Sequence, residues 1–180
     1  MSDPNTEIIF TSGGTESNNW ILNYIASMKP SSSTLPHVIT TAIEHPAISQ
    51  PLKALSRAGL LTYTIIHPIP RVGSITAEQV ADALQDNTVL VTVMAANNET
   101  GVIQPIEQIG QLVREINTAR QMQADESDNP SEYVPLFYHI DAAQIIGKGV
   151  LTEPGKVDVK AWCAHYRRVG DIFGLKVEIE

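Results

Sequence analysis

Short runs of apolar and β-branched residues alternate along this chain with longer stretches in which apolar positions recur every three or four residues. That alternation predicts an α/β fold, a mostly parallel sheet covered on both faces by helices. The runs at 37–41 (HVITT), 61–66 (LTYTII), 88–94 (TVLVTVM) and 136–140 (LFYHI) read as strands. The third is apolar or β-branched throughout, as a central strand buried on both sides must be. A first helix is expected from about Glu16 to Met28, ahead of Pro30. A second runs from Pro46 to about Ala58, with Gly59 as its left-handed stop. Thr76 and Gln79 form a capping box for a short helix through Leu84, which Asp86 and Asn87 end. Pro105 starts a fourth helix, in which Ile106, Ile109, Leu112, Val113 and Ile116 share one face and which runs to about Arg120 or slightly further. Residues 31–36 and 67–75 read as loops and 123–132 as a polar surface insertion. Residues 141–144 are expected to open a short helix that Gly147 ends. No internal repeat or linker divides the chain.

Three polar clusters interrupt this pattern where strands give way to helices. In IIFTSGGTESNNW, Ile8 to Trp20, an apolar run meets Gly13 and Gly14 and then a helix start. The glycines permit a tight turn that leaves the first helical N–H groups outward, an arrangement that attracts anions such as phosphate, with the Thr15 hydroxyl beside them. Read alone, the stretch is better taken as an ordinary strand-to-helix turn with Thr15 as the helix cap. The second cluster is AANNETGVIQP after 88–94, and the third begins at Asp141 after LFYHI. Both fall at carboxyl ends of buried strands, where open α/β sheets bind ligands.

Composition narrows the choices. At 180 residues with 43% hydrophobic and 18% charged positions, the chain can bury a core and is not a disordered sequence. A formal net charge of -8 without a basic cluster argues against nucleic acid and against anionic membranes as partners. No apolar run is long enough to span a bilayer, and the start MSDPNTE has neither a signal-peptide nor a transit-peptide pattern, so the cytosol is the expected compartment. The single Cys163 excludes an internal disulfide and reads as a structural or incidental thiol. No metal site is expected. Neither G-x-G-x-x-G after a strand nor a P-loop pattern is present, which sets dinucleotide and nucleoside-triphosphate readings aside.

FTSGGTESNN, EHPAI, NNETGVIQPI and HIDAAQIIGK together, in this order and approximate spacing, resemble the NifS-like PLP enzymes, the class V aminotransferase-fold cysteine desulfurases and selenocysteine lyases. The resemblance covers roughly residues 7–160. It implies the three-layer αβα large domain of the fold-type I PLP-dependent transferases, here incomplete, with residues 1–163 as the partial large domain and 164–180 as a divergent tail. The 123–132 insertion is closer to selenocysteine lyase, so L-selenocysteine is the expected substrate, converted to L-alanine with release of selenium. L-cysteine, with sulfur transfer, is the alternative; a truncated form acting only by binding or dimerisation is another. A homodimer is implied.

Position by position, the resemblance implies that Gly14 and Thr15 hold the phosphate of pyridoxal 5′-phosphate. His45 would stack on the pyridine ring and carry protons, while Asn98 and Gln144 would lie near the phenolic oxygen. Asp141 would pair with the ring nitrogen and keep it protonated, as an opposite charge does. Without the resemblance, His45 is a polar residue before a Pro-initiated helix, NNETG a turn, Asp141 a helix cap and Gln144 a solvated side chain. Two family groups are not evident. The lysine that anchors the resting cofactor is expected about where Tyr166 follows His165, and Lys148, Lys156, Lys160 and Lys176 lack the family context. The catalytic cysteine lies far downstream in the family, so Cys163 does not match it. A leading segment, a small domain and later strands of the sheet are likewise expected to be missing. An open apolar edge, weak cofactor binding and no turnover are the expectations for this chain alone.

Overall fold

In the computed structural model, which describes residues 8–28, 34–126 and 134–145 and the backbone of short strands at 161–163, 167–168, 171–172 and 175–177, the expected strands pair side by side. In chain order the elements are β1 (Ile8–Ile9), α1 (Gly14–Ser27), β2 (His37–Thr41), α2 (Pro46–Arg57), β3 (Thr62–Ile66), α3 (Ala77–Asp82), β4 (Thr88–Met94), α4 (Ile106–Asp125), β5 (Phe137–Asp141), β6 (Ala161–Cys163), β7 (Arg167–Arg168), β8 (Asp171–Ile172) and β9 (Leu175–Val177). The large sheet runs β1-β9-β6-β5-β4-β2-β3, with β3, β2, β4, β5 and β6 parallel and β9 antiparallel to both of its neighbours, β6 and β1, so that β9 alone runs against the rest. β7 and β8 make a separate pair. The stretch read as a divergent tail therefore supplies β9 to the sheet, between β1 and β6.

Side-chain alternation along the strands divides the core into two apolar layers. Leu90 and Phe137 pack with Ile21, Leu22 and Ile25 of α1 and Ile48 and Leu52 of α2. One residue further on, Val91 and Tyr138 face Val80 of α3 and Ile106, Ile109 and Val113 of α4. This is the three-layer αβα arrangement, and all seven residues of β4 are buried in it. Each fully buried Leu or Ile contributes about 1.5–3 kcal/mol relative to exposure. β3 is an edge and its burial drops accordingly, with Ile65 exposed.

The local punctuation follows the chemistry of its residues. Pro46 occupies the first turn of α2, and Gly59 takes φ +70 just past its end. Thr76 and Gln79 make both halves of the capping box of α3. Two expectations change. α4 continues through Asp125, so the polar stretch expected to start an insertion at 123 is helical for its first three residues. Residues 143–145 form a turn rather than a helix, closed by the Ile145 N–H to the Ala142 carbonyl at 3.1 Å; Gly147 lies outside the described residues. Asn117 of α4 meets the backbone of Leu136 twice, donating to its carbonyl at 3.0 Å and accepting from its N–H at 2.8 Å.

Candidate functional site

The carboxyl ends of β2, β4 and β5 and the start of α1 meet at one edge of the sheet. α1 begins after Gly13, whose backbone is extended, and no side chain caps it. Thr15, a candidate cap, does not act as one; it lies exposed in the first turn. The turn is braced instead by Thr11 Oγ1 against Ser17 Oγ at 2.6 Å and by the Ser12 N–H and hydroxyl, which both donate to Glu16 Oε2 at 2.6 Å. The Ser12 hydroxyl, then its backbone N–H, hold the Glu16 carboxyl below its ordinary range. Gly14 is half-buried beside this turn.

Asp141 closes β5 and is buried. Asn18 Nδ2, reaching from the second turn of α1, donates to its Oδ2 at 2.9 Å, and the Ala143 N–H donates to its Oδ1 at 3.1 Å. The capping reading of Asp141 thus applies to a turn, while its other oxygen joins β5 to α1. Gln144 is exposed in that same turn.

His45 is the N-cap of α2, its Nδ1 accepting the Ala47 N–H at 3.1 Å, which leaves a neutral ring its proton on Nε2. The exposed Asn98 sits in a turn organised by its neighbour. Asn97 Oδ1 accepts from the N–H groups of Glu99 and Thr100 and from the Thr100 hydroxyl, at 3.1, 2.8 and 3.0 Å. Gly101 completes the turn at φ +73. Asn97 Nδ2 donates to the Ile43 carbonyl at 3.1 Å, tying the Asn98 turn to the loop that carries His45. Across the sheet, Met94 lies opposite Asp141, and the Ala95 N–H donates to the Asp141 carbonyl at 2.8 Å. Asp141 at the end of β5, Thr15 in the first turn of α1, and His45, Asn98 and Gln144 in the connections after β2, β4 and β5 are therefore carried by elements that meet at a single edge of the sheet. The candidate lysines Lys148, Lys156 and Lys160 lie outside the described residues, and only the backbone of Lys176 and Cys163 is described.

Three residues of this edge were not singled out by the sequence reading. Asn18 lies on the buried stripe with Leu22 and Ile25, so its helical spacing was the available signal. Glu44, one residue before His45, is a buried carboxyl that burial raises to about 8. His139 shares a face of β5 with Asp141; its Nδ1 meets Thr92 Oγ1 at 2.8 Å, and burial lowers the ring to about 4 against the opposing pull of Asp141. Among the described residues, Asn18 Oδ1, Thr40 Oγ1, Glu44 Oε2 and His139 Nε2 are buried with no hydrogen-bond partner. No helix among the described residues is long and apolar enough to cross a membrane.

The profile of the class-V aminotransferases matches residues 2–126. Cysteine desulfurase IscS of Clostridium botulinum (strain Kyoto / Type A2) is 36% identical over 161 residues, 88% of this chain and 35% of that protein. A NifS-like protein of known structure superposes with a TM-score of 0.69 at 33% identity, over 87% of this chain and 37% of that one. A variant of C-DES, solved with glycine covalently linked to its PLP cofactor, shares the fold with a TM-score of 0.70 at 20% identity, over 97% of this chain and 41% of that one. The chain spans about 35% of the length of the curated relative it matches.

Proposed function

The chain belongs to the class-V aminotransferase family, and from that premise we propose that it forms the cofactor-binding part of a PLP-dependent carbon–sulfur lyase that converts L-cysteine to L-alanine. The observation that carries this reading is the buried Asp141 at the end of β5, held by Asn18 from a helix whose first turn follows the Gly13–Gly14 turn. A fixed carboxylate and an anion-attracting helix start on one sheet edge match the two ends of a pyridoxal phosphate, a cationic ring nitrogen and a dianionic phosphate. The residues present fit that group. Gly14 and Thr15 would hold the phosphate, Asp141 the ring nitrogen, His45 the ring face, and Asn98 and Gln144 the phenolic oxygen.

When bound, PLP supplies an electron sink for the carbanion left by loss of the substrate's Cα proton. The chain's own part is orientation and charge. Asp141, with both oxygens engaged, keeps a negative charge at a fixed place, and His45 offers Nε2 for proton movement while Nδ1 stays with α2. The names of the relatives favour cysteine over selenocysteine as substrate, and the helical start of the 123–132 stretch removes part of the support for selenium. The acidic composition and lone cysteine support a cytosolic setting. Exposed Phe10 just before α1 and Trp20 and Tyr24 along it support a homodimer.

The test is an absorbance titration of the purified chain with PLP, before and after borohydride, followed by intact mass. Reversible binding without a retained adduct, lost in Asp141→Asn and Thr15→Val, is the expected result. No binding would overturn the cofactor reading. Alanine released from L-cysteine by this chain would overturn the expectation that its catalyst is incomplete, and release from L-selenocysteine alone would overturn the choice of sulfur.

A further inference from the structure

Glu44 stands in the turn between β2 and α2, buried and directly before His45. Its Oε1 accepts two hydrogen bonds, from Thr41 Oγ1 at 2.7 Å and from the Met94 N–H at 2.9 Å, while Oε2 is buried with no donor. The first bond holds the turn to its own strand; the second crosses to the last residue of β4, whose neighbour in register is Asp141. An ionised carboxylate in this position leaves the charge on Oε2 unmet, whereas the acid leaves there only a neutral hydroxyl without an acceptor, the lesser cost. We propose that Glu44 is a positioning residue, a buried strut that locks the His45 turn onto the end of β4 beside Asp141.

The use of the strut rests on the reading of this edge as the cofactor site; the lock itself concerns only how two strand ends are joined. Burial is the main cause that raises the Glu44 carboxyl to about 8, the bonds from Thr41 and Met94 pull it down, and the charge of Asp141 pushes it up. The titratable groups facing it are Asp141 and Tyr138 on β5, with His45 next on its own turn. Tyr138 donates its hydroxyl to the Ile106 carbonyl at 3.1 Å and is pushed well above its ordinary value by burial and then by Glu44. Burial thus favours the protonated form of Glu44 at neutral pH. The folded state binds the Glu44 proton more tightly than the unfolded chain does. The associated stability is full below the ordinary value of 4.5 and is lost as the pH rises to about 8.

Amide hydrogen exchange over residues 42–48 and 94–97, PLP affinity by absorbance, and unfolding midpoints from pH 5 to 9 test the proposal in the wild type, Glu44→Gln, Glu44→Ala and Thr41→Val. Gln keeps the accepting oxygen and cannot ionise. It is expected to keep turn protection and PLP affinity within about twofold and to remove the decline in stability towards pH 8. Ala is expected to speed exchange of the turn and to weaken PLP binding by about tenfold each. Thr41→Val, which removes one donor, covers the case in which the Ala variant does not fold, with an expected increase in exchange of about threefold. Wild-type protection in Glu44→Ala or Thr41→Val, or a Gln variant as impaired as the Ala variant, would overturn the strut. Exchange that responds as expected in a chain that takes up no PLP would leave the strut standing and sink the cofactor reading instead.

Discussion

Two buried histidines lie in the same sheet under different regimes. His37, at the start of β2, has both ring nitrogens engaged, Nδ1 with Thr88 Oγ1 at 2.8 Å and Nε2 with Thr64 Oγ1 at 2.9 Å. It stitches three parallel strands together at their amino ends, and burial lowers its pKa. His139, two residues before Asp141, has one nitrogen engaged and one buried without a partner, like Asn18 Oδ1 and Glu44 Oε2 near it in the fold. Burial is common to both; completeness of hydrogen bonding is not. Buried polar groups left unpaired cost stability, and proteins retain them mainly where a site needs them. The amino edge is tied by complete hydrogen bonding, and the unpartnered buried groups gather towards the carboxyl edge, where the cofactor site is proposed.

The contrast breaks most easily at its functional pole. Asp141→Asn keeps the shape and removes the charge, and PLP affinity is expected to fall by about 100-fold, near 2.7 kcal/mol, with a small change in denaturant midpoint. His37→Leu is the mirror experiment. It leaves the half-buried Thr64 hydroxyl without its partner and takes one of two partners from Thr88 Oγ1, which keeps the Gln85 N–H at 2.8 Å, and is expected to cost about 1.5 kcal/mol in denaturant unfolding while leaving PLP affinity unchanged. Equal effects of His37→Leu on both readouts would dissolve the distinction between the two edges.

A pH series sharpens it further. His139 is held neutral in the fold, its pKa lowered to about 4 from an ordinary 6.5. The unfolded chain therefore binds the proton first, and stability falls as the pH drops from about 6.5 to about 4. The steepest loss expected from this group is about 1.4 kcal/mol per pH unit, and His139→Gln should flatten the acid limb. An unchanged limb would show that the histidine charges without cost. The smallest effect lies outside the candidate site, at the start of α3, where Gln79 Nε2 meets the His67 carbonyl just past β3. Thr76→Ala opens the capping box of α3 and is expected to lower stability by about 1 kcal/mol, read from the denaturant midpoint.

The strands and helices were legible because each obeys a local rule: β-branched runs, 3.6-residue stripes, Pro46 at a helix start and Gly59 at a helix end. Asp141, Thr15, His45, Asn98 and Gln144 were named on motif order, and the structure shows the elements that carry them meeting at one edge of the sheet. Asn18 and Glu44 were harder. Their significance lies in contacts between residues 123 and 50 positions apart in the chain, which no local pattern encodes. The turn at 143–145 misled for a related reason. Asp141 is a good cap on any local scale, but Asn18 claims one of its oxygens from α1. α4 outran its expected end because polar residues such as Gln121, Gln123 and Asp125 suit an exposed helical face as well as a loop.

The paired hydrogen bonds from Asn117 to Leu136 make α4 behave, at that point, like a neighbouring strand. The entry of β5 is indexed from the helix. Where Asp141 falls against Met94 is then set by a side chain in α4, and the number of residues between Asp125 and Val134 is uncoupled from it. Length variation in that connection is a change of outline that leaves the chemistry in register.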